Sequence, residues 1–104
     1  MRLLFCALFA LFGLATAGLY SQFQSACTSE LIAAPTYKRK FVTAAFNNYL
    51  GCIQDAEQDE EACKFCVKKY QLTEDYVTEV VPCGKGFLEK VSTVEECMKA
   101  LPIL

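Results

Sequence analysis

Apolar residues recur at intervals of three and four along most of the chain from residue 19 onwards. This period is typical of amphipathic α-helices, because side chains three and four residues apart lie on the same face of a helix. Five apolar stripes follow one another, at residues 19–32, 37–53, 62–70, 76–81 and 87–101. Alternating apolar and polar residues indicate a β-strand. Only residues 77–81 come near this pattern, and that run is short. The pattern therefore predicts an all-α domain of four to five short helices.

Residue types that begin or end helices divide these stripes. Pro35 ends or restarts the first segment, and Pro82, with glycines at 84 and 86, ends the fourth. Thr73 precedes two acidic residues, which are favoured in the first turn of a helix, so we expect a helix to begin there. Two overlapping pairs with capping-box spacing mark a break in the fifth stripe: Ser92 with Glu95, and Thr93 with Glu96.

The second stripe is the longest and contains two neighbouring rows of apolar residues. The leading row is Tyr37, Phe41, Ala45, Tyr49 and Cys52. The row beside it is Val42, Phe46, Leu50 and Ile53. Aromatic side chains at helical spacing usually fill a core. We therefore expect the aromatic side chains of this stripe to be buried.

The first seventeen residues have the features of an export signal. Arg2 provides a positive charge, residues 3–14 form an almost unbroken apolar run, and Ala15 and Ala17 are the small residues that a signal peptidase reads. The run is shorter than the roughly 20 residues that span a bilayer, and no second run of that length follows. An uncleaved core helix is the alternative. We predict a cleaved signal peptide at residues 1–17, one secreted domain at residues 18–104 and no transmembrane segment.

Seven cysteines are spread along the chain, and the first, Cys6, lies in the predicted signal. The other six form an even set in the mature domain: Cys27, Cys52, Cys63, Cys66, Cys83 and Cys97. An even set of cysteines behind an export signal is typical of a disulfide framework, and a domain of this size has only a marginal core without one. We predict three intramolecular disulfides that join helices, and no free thiol.

Spacing restricts the pairing of these cysteines without determining it. Cys63 and Cys66 lie three apart on one helix face, where side chains point alongside each other, so we expect them to bond different partners. The ten residues between Cys52 and Cys63 fit a helical hairpin. This spacing is similar to the middle of saposin-like proteins, whose terminal cysteine pairs the chain lacks. As a hypothesis we pair Cys52 with Cys63, Cys66 with Cys83, and Cys27 with Cys97.

Composition argues against several classes of function. The chain has no histidine, which removes the commonest general base and the commonest metal ligand. The mature domain carries nine basic and twelve acidic residues, a net charge of −3, and no basic stripe interleaved with aromatic residues. Nucleic-acid binding is therefore not expected. We expect no catalytic residues, no cofactor and no metal ion, and hence a protein that is not an enzyme.

Two motifs have the spacing of metal or redox sites, and each has a simpler interpretation. Residues 63–66 form a C-x-x-C, but no strand precedes it and both cysteines fit the disulfide framework. Asp55, Glu57 and Asp59 alternate like the first ligands of a calcium loop, but the glycine and the final glutamate of such a loop are missing. We interpret this acidic run as a solvated turn that leads into the next helix.

Lys38, Arg39 and Lys40 are three consecutive cations near the start of the second predicted helix. Cations at a helix start oppose the helix dipole, and such a locally unfavourable choice often marks a functional surface. An acidic partner or an anionic membrane would suit the cluster. A solvated loop or helix face is the alternative, and charge runs usually form one. We mark these three residues as a possible partner-binding site.

Together these observations predict a small secreted cysteine-rich protein that binds an extracellular protein, in an effector, toxin-like or signalling role. The alternative is a carrier of a lipid or another hydrophobic ligand, because the five Phe and five Tyr of the mature domain could line a cavity between helices. A dry, continuous cavity would favour the carrier. A packed core with an exposed apolar patch would favour the partner-binding protein. We expect a monomer in either case.

Overall fold

The computed structural model describes residues 18–104, and the predicted signal peptide lies outside the described residues. The described residues form six α-helices and no strand, which confirms the all-α prediction. The helices are α1 (Leu19–Ala26), α2 (Thr28–Ala33), α3 (Thr36–Asp55), α4 (Glu60–Val67), α5 (Tyr70–Val80) and α6 (Val94–Met98). Short 3-10 helices follow α5 and flank α6, at Pro82–Gly84, Leu88–Val91 and Leu101–Ile103.

The first apolar stripe forms two helices, because the backbone of Cys27 departs from helical geometry (φ −115°, ψ 21°). The second stripe forms the single 20-residue helix α3. Within residues 18–104 no helix combines the length and the apolar character that a membrane span requires.

Two of the predicted helix starts are confirmed and one is wrong. Asp59 caps α4 by accepting a hydrogen bond from the backbone N–H of Ala62 at 3.0 Å. Thr93 caps α6 by accepting from the backbone N–H of Glu96 at 3.1 Å, so the pair Thr93 and Glu96 is the one that caps the helix. Helix α5 begins at Tyr70 rather than at Thr73. The ring of Tyr70 packs near the ring of Tyr49 on α3, with centroids 6.3 Å apart, and this tertiary contact accompanies the earlier start.

The core is built around α3, which packs against α4 and α5. Val42, Phe46, Tyr49 and Ile53 of α3 are buried. The ring of Phe46 stacks on that of Phe23 in α1, with centroids 4.6 Å apart. This stacking places α1 against the centre of the domain, and it gives stabilisation beyond the area that the two rings bury.

Three disulfides use all six cysteines of residues 18–104: Cys27–Cys83, Cys52–Cys66 and Cys63–Cys97. The number of bonds is therefore confirmed, and so is the prediction that the two cysteines of the C-x-x-C bond different partners. The hypothesised pairing is wrong in all three bonds. The hairpin of α3 and α4 exists, but Cys52 bonds Cys66, almost one turn beyond Cys63 along α4.

The orientation of α4 explains why the hypothesised pairing fails. Glu57 and Gln58, in the turn before α4, adopt left-handed conformations with φ of 49° and 64°. After this turn α4 lies between α3 and α6, and it packs against both. Cys66 meets α3 and Cys63 meets α6, since residues three apart on a helix lie on adjacent rather than identical sides. The spacing of the cysteines does not reveal how α4 is rotated about its own axis relative to α3 and α6.

Candidate functional site

Two aromatic side chains near the start of α3 are exposed. Tyr37 and Phe41 are each 61% exposed, so the prediction that the aromatic residues of this stripe are buried is wrong for both. An α-helix turns by about 100° per residue. The buried side of α3 follows Val42, Phe46 and the residues in line with them, whereas Tyr37 and Phe41 in the other row face solvent. Two large apolar side chains are therefore exposed at this end of the domain.

A cleft of about 360 Å³ lies between the start of α3 and the C-terminal half of α5. Tyr37 and Phe41 line it from α3, and Tyr76 lines it from α5. We call it the aromatic cleft. Lys38 and Glu79 line the same cleft, so that it contains one cation and one anion among apolar walls. Such a cleft provides apolar contact area together with two charges that orient whatever enters it.

Lys38, Arg39 and Lys40, which we call the basic cluster, surround the start of α3 instead of forming a flat patch. Lys38 lines the aromatic cleft. Arg39 lines a second cleft, of about 220 Å³, beside Ile32 of α2. Lys40 is exposed to solvent. This spread follows from helix geometry, because consecutive side chains diverge by about 100°.

Ion pairs in residues 18–104 lie away from the basic cluster. Lys64 pairs with Glu60 and Glu61, and Lys99 pairs with Glu95, all at exposed positions. Helix α3 has no side-chain cap and no acidic residue in its first turn. The positive end of its dipole therefore adds to the charge of the cluster. The start of α3 therefore concentrates positive charge on a domain of negative net charge.

A disulfide holds the elements around this site together. Cys27, between α1 and α2, bonds Cys83 in the segment that follows α5. Beside this bond the carboxylate of Glu30 in α2 accepts a hydrogen bond from the backbone N–H of Cys83 at 2.6 Å. The two interactions connect α2 to the end of α5, and α3 begins directly after α2. The walls of the aromatic cleft are thus attached to a cross-linked frame.

A separate polar region joins α3 and α5 to the C-terminal segment. The hydroxyl of Tyr49 donates a hydrogen bond to the carbonyl of Val91 at 2.7 Å. Burial raises the pKa of the Tyr49 phenol, and the negative charges of Glu96 and Glu74 raise it further. Burial also raises the pKa of Tyr70, as do the hydrogen bond and the charge of Glu74. Both phenols are therefore neutral hydrogen-bonding groups with a structural role.

The motifs that resemble metal sites have structural roles. Asp59, the third acid of the alternating run, is the cap of α4, which agrees with the interpretation of that run as a turn leading into a helix. Cys27, Glu30 and Cys83 bring ligand-type atoms within 4.8 Å of one another. Both sulfur atoms are in a disulfide and the carboxylate accepts a backbone hydrogen bond. These three residues therefore stabilise the contact of α2 with the segment that follows α5.

Comparison of the chain with models of protein families, with curated proteins and with solved structures found no match in any of the three. Functional inference therefore depends on the residues of this chain. The sequence indicates the basic cluster, but it does not indicate that Tyr76 and Glu79 lie beside it. The available signal was the run Tyr37-Lys38-Arg39-Lys40-Phe41, in which aromatic residues four apart enclose the cations.

Proposed function

We propose that this protein is secreted and acts by binding an extracellular protein through the aromatic cleft and the basic cluster. The observation that carries the proposal is the exposure of Tyr37 and Phe41 beside cations that take part in none of the ion pairs of residues 18–104. Exposed apolar patches bordered by charge mark interaction sites. Aromatic residues and arginine are also enriched where binding energy is concentrated.

The disulfide framework supports both the location and the mode of action. Three intramolecular disulfides are typical of extracellular proteins. A cross-linked frame also reduces the ordering that must accompany association, which favours a binding role. Because the chain lacks histidine, we propose that binding occurs without catalysis, as expected of an effector, a toxin-like protein or a signalling protein.

The distribution of aromatic residues supports partner binding more than the carrier alternative. Phe23 lies between Phe46, stacked at 4.6 Å, and Phe87, which meets it edge-on at 5.7 Å. These rings fill the core, whereas Tyr37 and Phe41 face solvent. A carrier requires an interior cavity with apolar walls. A filled core with aromatic side chains on the surface is the arrangement expected of a protein that binds a partner.

Phe41→Ala tests the proposal, and Phe65→Ala is its matched control, because the two side chains are 61% and 60% exposed and both lie on helices. Saturable binding of the fluorescently labelled, oxidised mature protein to extracellular proteins of its source should weaken by about tenfold or more in Phe41→Ala. It should change little in Phe65→Ala. Equal losses of binding in Phe41→Ala and Phe65→Ala would refute the assignment of the binding site to the aromatic cleft and the basic cluster. Binding that survives protease but not lipid extraction would instead favour the carrier.

A further inference from the structure

The chemistry of the aromatic cleft restricts what a partner can present to it. We infer that the partner contributes an acidic segment with one apolar anchor, whose anchor enters the aromatic cleft while its carboxylates pair with the basic cluster. This inference rests on the proposed function. It adds to that proposal the chemical class of the partner and the orientation in which the segment lies.

The apolar walls of the cleft favour a side-chain anchor. Its volume of about 360 Å³ lies near the lower end of the range for ligand pockets, about 300–1,000 Å³, so it holds a side chain rather than a folded element. Tyr37, Phe41 and Tyr76 are exposed, and Pro35 and Val80 extend the apolar lining. An aliphatic or aromatic side chain that enters between these rings removes apolar surface from water on both partners.

Charge complementarity favours an acidic segment. The mature domain has a net charge of −3, which disfavours acidic partners over most of its surface. At the start of α3 the sign is reversed by the basic cluster and the uncapped helix dipole. Lys64 and Lys99 form ion pairs, and the ammonium of Lys69 lies 4.4 Å from the centre of the Phe65 ring, whereas the basic cluster takes part in none of the ion pairs of residues 18–104. An incoming carboxylate therefore pairs with the basic cluster without breaking an existing ion pair of the described residues.

Glu79 sets the orientation of the segment. Glu79 lines the aromatic cleft from α5, and Lys38 lines the cleft from α3. An acidic residue is repelled by Glu79 and attracted by Lys38, so it lies over the start of α3 while the anchor lies towards Tyr76. Neutralising Glu79 should consequently strengthen the binding of acidic segments, whereas neutralising Lys38 should weaken it.

An anionic membrane carries the same charge as an acidic segment but not the same shape. Lys38 and Arg39 line two different clefts, one shared with α5 and the other with α1 and α2, so the clefts lie on different flanks of α3. A flat bilayer surface fits two clefts on different flanks less well than a flexible chain does. An extended peptide can cross the start of the helix and contact both flanks. The spread of the basic cluster therefore favours a peptide segment.

Selection from a phage-displayed library of short random peptides on the immobilised, oxidised mature protein tests this inference. We expect enriched sequences that place two or more acidic residues beside Leu, Ile or Phe. The affinity of a synthetic consensus peptide should fall by about tenfold or more in Phe41→Ala and in Lys38→Gln/Lys40→Gln. It should rise roughly two- to threefold in Glu79→Gln and stay unchanged in Phe65→Ala.

Three outcomes would overturn the inference in distinguishable ways. Neutral or basic consensus peptides that still depend on Phe41 would leave the protein-binding face intact and refute the acidic partner. Acidic peptides that bind equally well to Phe41→Ala would refute the cleft as the anchor site. Failure to enrich any sequence, together with sedimentation on phosphatidylcholine vesicles only when phosphatidylserine is added, would refute both the inference and the proposed function in favour of a membrane surface.

Discussion

Tyr49 connects the central helix to the C-terminal segment through one buried hydroxyl. Its hydrogen bond to the carbonyl of Val91 satisfies both groups at 2.7 Å in the core. Burial and nearby carboxylates raise the pKa of this phenol, and they raise that of Tyr70 as well. In the unfolded chain both phenols return to the ordinary pKa of about 10. Folding therefore holds these protons more tightly than the unfolded chain does.

This difference predicts a dependence of stability on alkaline pH. Between the ordinary and the raised pKa the unfolded state binds fewer protons than the folded state, so the free energy of unfolding falls as the pH rises above about 10. Tyr49→Phe/Tyr70→Phe should be roughly 1 kcal/mol less stable at neutral pH, because the hydrogen bond to Val91 is lost. Its free energy of unfolding should also fall less steeply as the pH rises above about 10. Urea unfolding at a series of pH values measures both effects. If the free energy of unfolding falls equally steeply with pH in the variant and in the unsubstituted protein, the raised pKa values of the two phenols are contradicted.

The basic cluster should contribute little to folding. Replacing Lys38, Arg39 and Lys40 with Gln removes exposed charges that oppose the dipole of α3, so the melting temperature should stay the same or rise slightly. Binding to the partner should weaken, and its dependence on salt should flatten, since screening has fewer charges to act on. Thermal unfolding and binding at two salt concentrations measure the two effects. A triple variant that unfolds would show instead that the cluster is structural.

At the scale of helices, two glycines occupy opposite environments. A Cβ atom at Gly84, in the 3-10 helix after α5, would lie 2.7 Å from a ring carbon of Phe23 and 2.9 Å from a methyl of Val77. Phe23 and Val77 are both buried, so neither has room to yield. A Cβ atom at Gly51, in the interior of α3, would meet nothing within 4 Å. The first glycine permits close packing, and the second only weakens its helix.

The same substitution should therefore have opposite effects at these two positions. Gly84→Ala should lower the free energy of unfolding by about 1–3 kcal/mol, as overpacking in a filled core does. Gly51→Ala should raise it by about 0.5–1 kcal/mol, because alanine favours the helix. Urea unfolding of both variants checks this. A destabilised Gly51→Ala would contradict the open space beside Gly51. A neutral Gly84→Ala would contradict the close packing of Gly84 against Phe23 and Val77.

The sequence predicted where helices lie better than which way they face. The apolar period located α3 correctly, but α3 contains two neighbouring apolar rows, and the row that is buried depends on which helices cover it. At the start of α3, Tyr37 and Phe41 lie beside α5 but remain 61% exposed. The local sequence places the start of α5 at Thr73 instead of Tyr70 for a related reason, since no local signal shows the contact of Tyr70 with Tyr49. The rotation of a helix about its axis and the contacts between distant residues both depend on tertiary packing, which local sequence patterns do not show.

At the scale of the molecule, the disulfides determine how the helices are held. Six cysteines allow fifteen pairings, and spacing removed only those that join Cys63 to Cys66. The bond of Cys52 to Cys66 closes a separation of 14 residues, and that of Cys27 to Cys83 closes one of 56. In the chain-entropy account the longer loop contributes more, roughly 4 kcal/mol against roughly 3 kcal/mol. The bond next to the candidate site is therefore the more stabilising of these two.

Removing each of these two bonds tests that difference. Cys27→Ala/Cys83→Ala should lower the free energy of unfolding more than Cys52→Ala/Cys66→Ala, by about 1 kcal/mol, if chain entropy dominates. Chemical denaturation of the two oxidised variants compares them. Peptide mapping of the intact protein by mass spectrometry should link the same pairs that the structure shows. A linked Cys52 and Cys63, or a larger loss for the shorter loop, would contradict this description.

Site-specific photo-crosslinking tests the central claim, binding through the aromatic cleft, most directly. A photoreactive phenylalanine analogue at position 41, with controls at positions 65 and 72, reports what touches each of these exposed sites. In extracellular fluid of its source, the position-41 protein should form one discrete protein adduct. Unlabelled protein should abolish the adduct at a concentration about tenfold or more below the concentration of Phe41→Ala that does so, while the control positions stay unlinked. Equal adducts at positions 41 and 65, or an adduct that Phe41→Ala abolishes at the same concentration as unlabelled protein, would contradict the proposed binding face.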